Sequence, residues 1–153
     1  MSILAVKTLS EVEVNAMSSN QHEFNGVSEL QDLFGVGPGK RYFTANFVYM
    51  SDAGIESQET GSLTWYDARE NHPYRTEYRL YYNSSLPRRM AKAGDTLLIA
   101  PGNSGRINVF IIAKGAQLAH FLVSQLGRIG TDCCIVKSKR SISAIENVLP
   151  SIT

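Results

Sequence analysis

Read from its residues alone, the chain is a mostly β domain, either a barrel or an α+β fold. Three features point to this. Five segments of strand length are rich in apolar, β-branched or aromatic residues: 41–50 (RYFTANFVYM), 61–66 (GSLTWY), 77–82 (EYRLYY), 95–100 (DTLLIA) and 106–113 (RINVFIIA). Only residues 27–34 and 117–126 show clear helical spacing among the earlier segments. The strands are not separated by regular helices, which argues against a parallel doubly wound sheet.

The elements follow in chain order. Residues 3–14 alternate loosely through Val6, Leu9, Val12 and Val14 and read as a strand. Residues 17–26 (MSSNQHEFNG) are polar and turn-rich, as an exposed loop is. Val27, Leu30, Leu33 and Phe34 then form one face of a short helix, ended by the glycine-rich run 35–39. Residues 101–105 (PGNSG), between the last two long strands, make a hairpin-type loop. In 117–126 (QLAHFLVSQL) the face is Leu118, Phe121, Leu122 and Leu126, and Gly127 stops the helix. Residues 131–136 read as a final strand. Beyond them KSKR opens a basic stretch, and Ile142, Ile145 and Val148 predict one more short helix. The expected division is a domain over residues 1–136, then a basic tail or the start of a linker to a further domain over 137–153.

With 153 residues, 43% of them hydrophobic and 19% charged, the composition is that of one globular domain. A net charge of +1 excludes an overall polycation, so any nucleic-acid role must rest on a local basic patch. No apolar run approaches the roughly 18 residues that span a bilayer. The first ten residues lack the basic segment, apolar core and cleavage site of a signal peptide. The expectation is a soluble cytoplasmic protein with no membrane partner. Cys133 and Cys134 are adjacent, a poor geometry for a disulfide, and lack histidines at zinc-ligand spacing. They read as small buried strand residues.

Charge is concentrated between residues 69 and 92. Arg69, Arg75, Arg79, Arg88, Arg89 and Lys92 stand there against Glu70 and Glu77, with Tyr74, Tyr78, Tyr81 and Tyr82 interleaved. Guanidinium forks match phosphates and guanine edges, and tyrosine hydroxyls reach phosphates. The same pattern also fits a solvated strand face. The loop residues Asn20, Gln21, His22, Glu23 and Asn25 are short polar groups able to reach base edges, or else a plain surface loop.

Motifs of other chemistries fail. GVGPGK at 35–40 lacks the spacing of a P-loop and reads as a turn. His22, His72 and His120 share no ligand spacing, and no nucleophile motif is present. Asp95 has no E-x-K partner of the kind metal-dependent nucleases use.

Residues 61–80 (GSLTWYDARENHPYRTEYRL) resemble a stretch of the N-terminal domain of EcoRII-type restriction endonucleases. The shared pattern is the aromatic pair Trp65 and Tyr66, a polar turn through Asp67, Ala68 and Arg69, and R-x-E-x-R at Arg75, Glu77 and Arg79. Residues 22–34, Phe43-Thr44-Ala45, 95–100, 108–113 and 117–127 resemble further pieces of that domain in order. The resemblance implies a DNA-binding pseudobarrel of about seven or eight strands with two flanking helices. It implies two arms gripping a duplex in the major groove, one near residues 18–25 and one near 69–89. Tyr78 stands where the family has a basic residue, and Tyr81 and Tyr82 also depart from it. The implied function is sequence-specific recognition of double-stranded DNA at a short GC-rich site, as the non-catalytic domain of a type II restriction endonuclease. No cofactor is implied for this domain; magnesium belongs to a separate C-terminal nuclease domain. Glu77 cannot help bind phosphate. It suits a cytosine amino group, an orienting role for Arg75 or Arg79 two residues away on one strand face, or a plain cross-strand salt bridge. Two further readings stay open: a small self-contained metal-dependent nuclease, and a barrel binding a protein or small ligand through tyrosine-rich strands.

Overall fold

The structure, a computed structural model, describes residues 3–19 and 21–152. Its strands are β1 (Leu4–Thr8), β2 (Glu23–Phe24), β3 (Arg41–Ser51), β4 (Gly54–Asp67), β5 (Tyr78–Asn83), β6 (Thr96–Pro101), β7 (Ile107–Ile112) and β8 (Cys134–Val136). The helices are α1 (Glu11–Ser18), α2 (Gln31–Phe34), α3 (Leu86–Met90), α4 (Gln117–Leu126) and α5 (Lys139–Glu146). The strands form one curled sheet in the order β2-β5-β4-β3-β7-β6-β1-β8. All neighbours are antiparallel except β3 and β7. The result is an α+β pseudobarrel, as expected.

The sheet has two apolar faces. Inside the curl lie Ala5, Phe24, Phe47, Leu63, Trp65, Leu80, Tyr82, Leu97, Ile99, Val109 and Ile111. Outside β1, β3, β6 and β7 a second cluster, Val6, Val48, Leu98, Phe110 and Ile112, is covered by Leu122 of α4 and by Ile142 and Ile145 of α5. Strands buried on both faces read as unbroken apolar runs, which is why 95–100 and 106–113 look as they do. β4 and β5 have one wet face and alternate instead.

β2 and β8 are the free ends of the sheet, and the curl brings them together. The Cys133 amide donates to the Gly26 carbonyl at 2.8 Å. A buried ion pair lies beside this contact. Lys7 on β1, only 1% exposed, donates to Glu13 Oε2 on α1 at 2.8 Å. Lys7 also donates to the Asn25 carbonyl, and Glu13 Oε2 accepts the Asn25 amide at 2.7 Å. One pair thus ties β1, α1 and the segment after β2 together. Gly61 lets β4 pass close to the end of β5: a Cβ there would sit 2.4 Å from the Asn83 carbonyl oxygen.

Several elements differ from expectation. Residues 3–14 are not one strand. Ser10 ends β1 and starts α1, because its hydroxyl accepts the Glu13 amide at 3.1 Å while Glu13 Oε1 accepts the Ser10 amide at 3.2 Å. Within the 17–26 stretch expected as loop, Glu23 and Phe24 pair as β2. Residues 27–34 divide into a 3-10 turn, Ser28–Leu30, and the single turn of α2. β4 begins seven residues before the expected 61, and the short helix α3 was not anticipated. The helix over 117–126 has the expected bounds, with Gly127 at φ 80°. The tail residues 139–146 form α5, packed on the sheet through Ile142 and Ile145. Cys133 is buried as expected; Cys134 is exposed, and both are free thiols.

Candidate nucleic-acid interface

Strand parity decides which residues of the basic interval face water. Along β5, Leu80 and Tyr82 are buried in the curl and Tyr78 joins them at its edge, while Arg79, Tyr81 and Asn83 point outward. β2 lies against β5 with Glu23 opposite Tyr81. On its other side β4 sets Thr64 opposite Tyr81 and Tyr66 opposite Arg79, and β3 sets Tyr42 opposite Thr64. A row of Tyr42, Thr64, Tyr81 and Glu23 therefore crosses four strands on the outer face. Beside it Lys40 Nζ lies 5.2 Å from the centre of the Tyr66 ring. Tyr42 is 71% exposed and Tyr81 39%.

Arg79 is the centre of the charge on this face. Its Nη2 donates to Glu77 Oε2 at 3.0 Å, and its Nη1 is 3.8 Å from Glu23 Oε1. Arg69 Nε lies 3.5 Å from the same Glu77 oxygen, and the Tyr66 hydroxyl lies 3.4 Å from Glu23 Oε1. The Glu77 hydrogen bond first, and the Glu23 charge second, hold the Arg79 guanidinium above its ordinary pKa. Such half-exposed pairs add little stability. Their effect here is to fix the direction of the guanidinium fork. A shallow recess of about 400 Å³ lies beside it, lined in part by Glu23, Asn25, Glu77 and Arg79.

Two exposed segments leave β5 at opposite ends. Beyond Tyr78 is the β4–β5 loop, in which residues 68–76 are all exposed. Asp67 Oδ1 braces its base by accepting the Arg69 amide at 2.9 Å and the Glu77 amide at 2.8 Å. Arg75 is exposed in this loop and has no ion-pair partner among the described residues. Toward Asn83, the Tyr82 amide donates to the His22 carbonyl at 2.9 Å, so the chain leading into β2 lies at that end. Gln21 is exposed there; Arg88 and Arg89 are exposed on α3, which follows β5, and Lys92 is exposed beyond α3, its amide bonded to Asp95 just before β6. β5 has six residues, so its ends are about 17 Å apart at the rise of an extended strand.

The residues expected from the sequence fall into three groups. Glu23, Glu77, Arg79 and Tyr81 share the outer face, with Arg69 and Arg75 in the loop beside them. Gln21 lies at the other end of β5, with Arg88 and Arg89 on the following helix α3 and Lys92 beyond it; Arg89 Nη1 is 3.6 Å from Glu59, which shares the inward parity of Leu63 and Trp65, and also bonds the Ser85 hydroxyl. The third group is tied to the body. The Tyr78 ring stacks on Trp65 at 5.0 Å, and its hydroxyl accepts the Gly37 amide at 3.0 Å. The His22 ring stacks on Tyr82 at 5.2 Å. The Asn25 backbone holds the Lys7–Glu13 pair. Asn20 lies outside the described residues. The six basic residues are therefore not one patch but two. Lys40, Tyr42, Thr64 and Tyr66 were not anticipated; the alternation of 41–50 and 61–66, which buries Leu63 and Trp65, was the signal that puts Tyr42, Thr64 and Tyr66 outside.

The glycine amides of the 35–40 turn are engaged: Gly39 donates to Glu70 Oε2 at 2.7 Å and Gly37 to Tyr78. Asp95 is buried and accepts from the Lys92 and Lys114 amides, both at 2.9 Å, which is a structural role. Among the described residues no three His, Cys, Asp or Glu side chains gather as a metal site. No described helix is long and apolar enough to cross a membrane.

The class defined by this fold is a curled eight-stranded pseudobarrel carrying outer helices. Among solved structures, the N-terminal domain of Helicobacter pylori LlaJI.R1 shares it, with a TM-score of 0.58 at 10% sequence identity, over 90% of this chain and 99% of that one. At this identity the likeness is one of fold. No protein-family model and no curated protein matches the sequence.

Proposed function

We propose that the chain binds double-stranded DNA in a sequence-specific manner, as the recognition domain of a type II restriction endonuclease. The observation that carries this is the placement of two exposed, arginine-bearing segments at the two ends of β5, with a row of tyrosines and an oriented Arg79 between them. A span of about 17 Å exceeds the major groove, which is about 12 Å wide, so both segments can reach phosphates while the strand face meets base edges. Arg69 and Arg75 would hold one backbone, and Arg88, Arg89 and Lys92 the other. Arg79 would read a guanine, oriented by Glu77, and Glu23 would accept from a cytosine amino group. LlaJI.R1, whose N-terminal domain shares the fold, is a restriction-enzyme component, which favours this reading. A GC-rich site, cytoplasmic action and a magnesium-dependent nuclease partner domain belong to the same proposal.

The test is a mobility-shift panel of short duplexes covering many sequences at two salt concentrations. One sequence class should be retained at the higher salt. Equal retention of all would remove the specificity, and no binding at low salt would remove the function.

A further inference from the structure

Tyr74, at the tip of the β4–β5 loop, is 90% exposed, the most exposed large apolar or aromatic side chain among the described residues. Its position is built rather than loose. Pro73 fixes the preceding backbone dihedral. The Tyr74 amide donates to His72 Nδ1 at 3.1 Å, and the His72 ring meets the Tyr74 ring edge-on at 6.4 Å. Further down, the His72 amide donates to the Arg69 carbonyl at 2.9 Å and the Ala68 amide to the Glu77 carbonyl at 2.8 Å. The loop thus holds an aromatic ring out into solvent, with Arg75 beside it and Arg69 at its base. The other tyrosines of this region have partners: Tyr78 stacks on Trp65 and Tyr66 lies under Lys40.

An exposed ring, edge-on to His72 and followed in the chain by Arg75, has the chemistry of a base-stacking side chain with a phosphate contact next to it. We propose that Tyr74 stacks on a nucleobase at an opened step of the duplex, so that the chain favours DNA whose stacking is already weakened at that position. This rests on the DNA-binding reading and adds the residue and the deformation to it. Opening an intact step costs unstacking energy that a damaged or unpaired step has already lost.

The experiment is fluorescence anisotropy at low salt on an intact labelled duplex and on a series carrying one abasic position moved along it. The full chain should bind one member of the series about tenfold tighter than intact DNA. Tyr74→Ala should bind intact and abasic duplexes alike, whereas Tyr74→Trp should keep the preference. A 2-aminopurine placed next to the preferred position should change its emission with the native chain and not with Tyr74→Ala. Because the side chain is exposed, thermal melting should be the same for both variants. A native chain that binds every duplex without preference overturns the Tyr74 assignment alone, as does a Tyr74→Ala loss equal on all duplexes, which would place the ring on the backbone. Failure to bind any duplex overturns the DNA-binding reading and this inference with it.

Discussion

Arg79 is held by two carboxylates on a half-exposed surface, and that arrangement separates direction from affinity. Glu77 repels phosphate yet aims the guanidinium. Arg79→Ala should cost about 1–3 kcal/mol on the preferred duplex and much less on random DNA. Glu77→Gln removes a negative charge from the face while releasing the fork. It should tighten binding to random DNA and narrow the ratio between preferred and random sites, read from paired anisotropy titrations at fixed salt. The pairing of Glu77 with Arg79 follows from their two-residue spacing in extended chain, whereas Arg75, expected on the same strand face, lies in the loop before β5. The inward turn of Tyr78 was legible by the same parity, once Leu80 is recognised as core. The bracing of the loop by Asp67 was not, since a carboxylate that caps two amides leaves no periodic trace.

The joint between β1, α1 and β2 rests on Lys7 and Glu13, both fully buried. Removing one partner of such a pair leaves the other charge uncompensated in the interior. Lys7→Met should therefore destabilise the fold by about 3–5 kcal/mol, and Lys7→Met with Glu13→Leu by clearly less, as measured by urea unfolding. The capping box at Ser10 and Glu13 stands in the sequence as S-x-x-E, a helix-start signal inside the span 3–14 expected as one strand. A tertiary partner settles the matter: Glu13 serves both the cap and Lys7. Helix 117–126 was legible because an apolar stripe, a length of ten residues and a terminal glycine agree. The two-residue strand β2 had no such agreement, being defined only by its pairing with β5.

Charge and burial across the body give two further expectations. The basic residues form two patches separated by β5, so each should contribute independently to counterion release. Replacing Arg88 and Arg89 together by Gln should reduce the slope of log affinity against log salt by about 2, leaving the order of preferred sequences unchanged. Several buried groups resist ionisation. Burial above all holds the Cys133 thiol up to about 12, and burial with the Asp95 charge holds the Tyr49 hydroxyl up to about 12. Burial likewise raises Tyr82. Below the unfolded thiol pKa of about 8.5 both states are protonated and this stability is intact. As pH rises toward 12 the unfolded chain loses protons first, so stability falls, by at most about 1.4 kcal/mol per pH unit for each group. Melting temperatures recorded from pH 8 to 11 should decline steadily. The strand content of the curl was legible from composition and alternation; its strand order was not, because β2, β5 and β8 meet through contacts distant in sequence.

The hydrogen bond from the Cys133 amide to the Gly26 carbonyl, one residue past Asn25, is where the two rims of the barrel meet. Any molecule gripping the neighbouring stretch would hold that seam shut. The Cys133 amide is thus a built-in reporter: its deuterium uptake should slow when a cognate duplex docks, while amides on the distant outer side of α4 keep their rates.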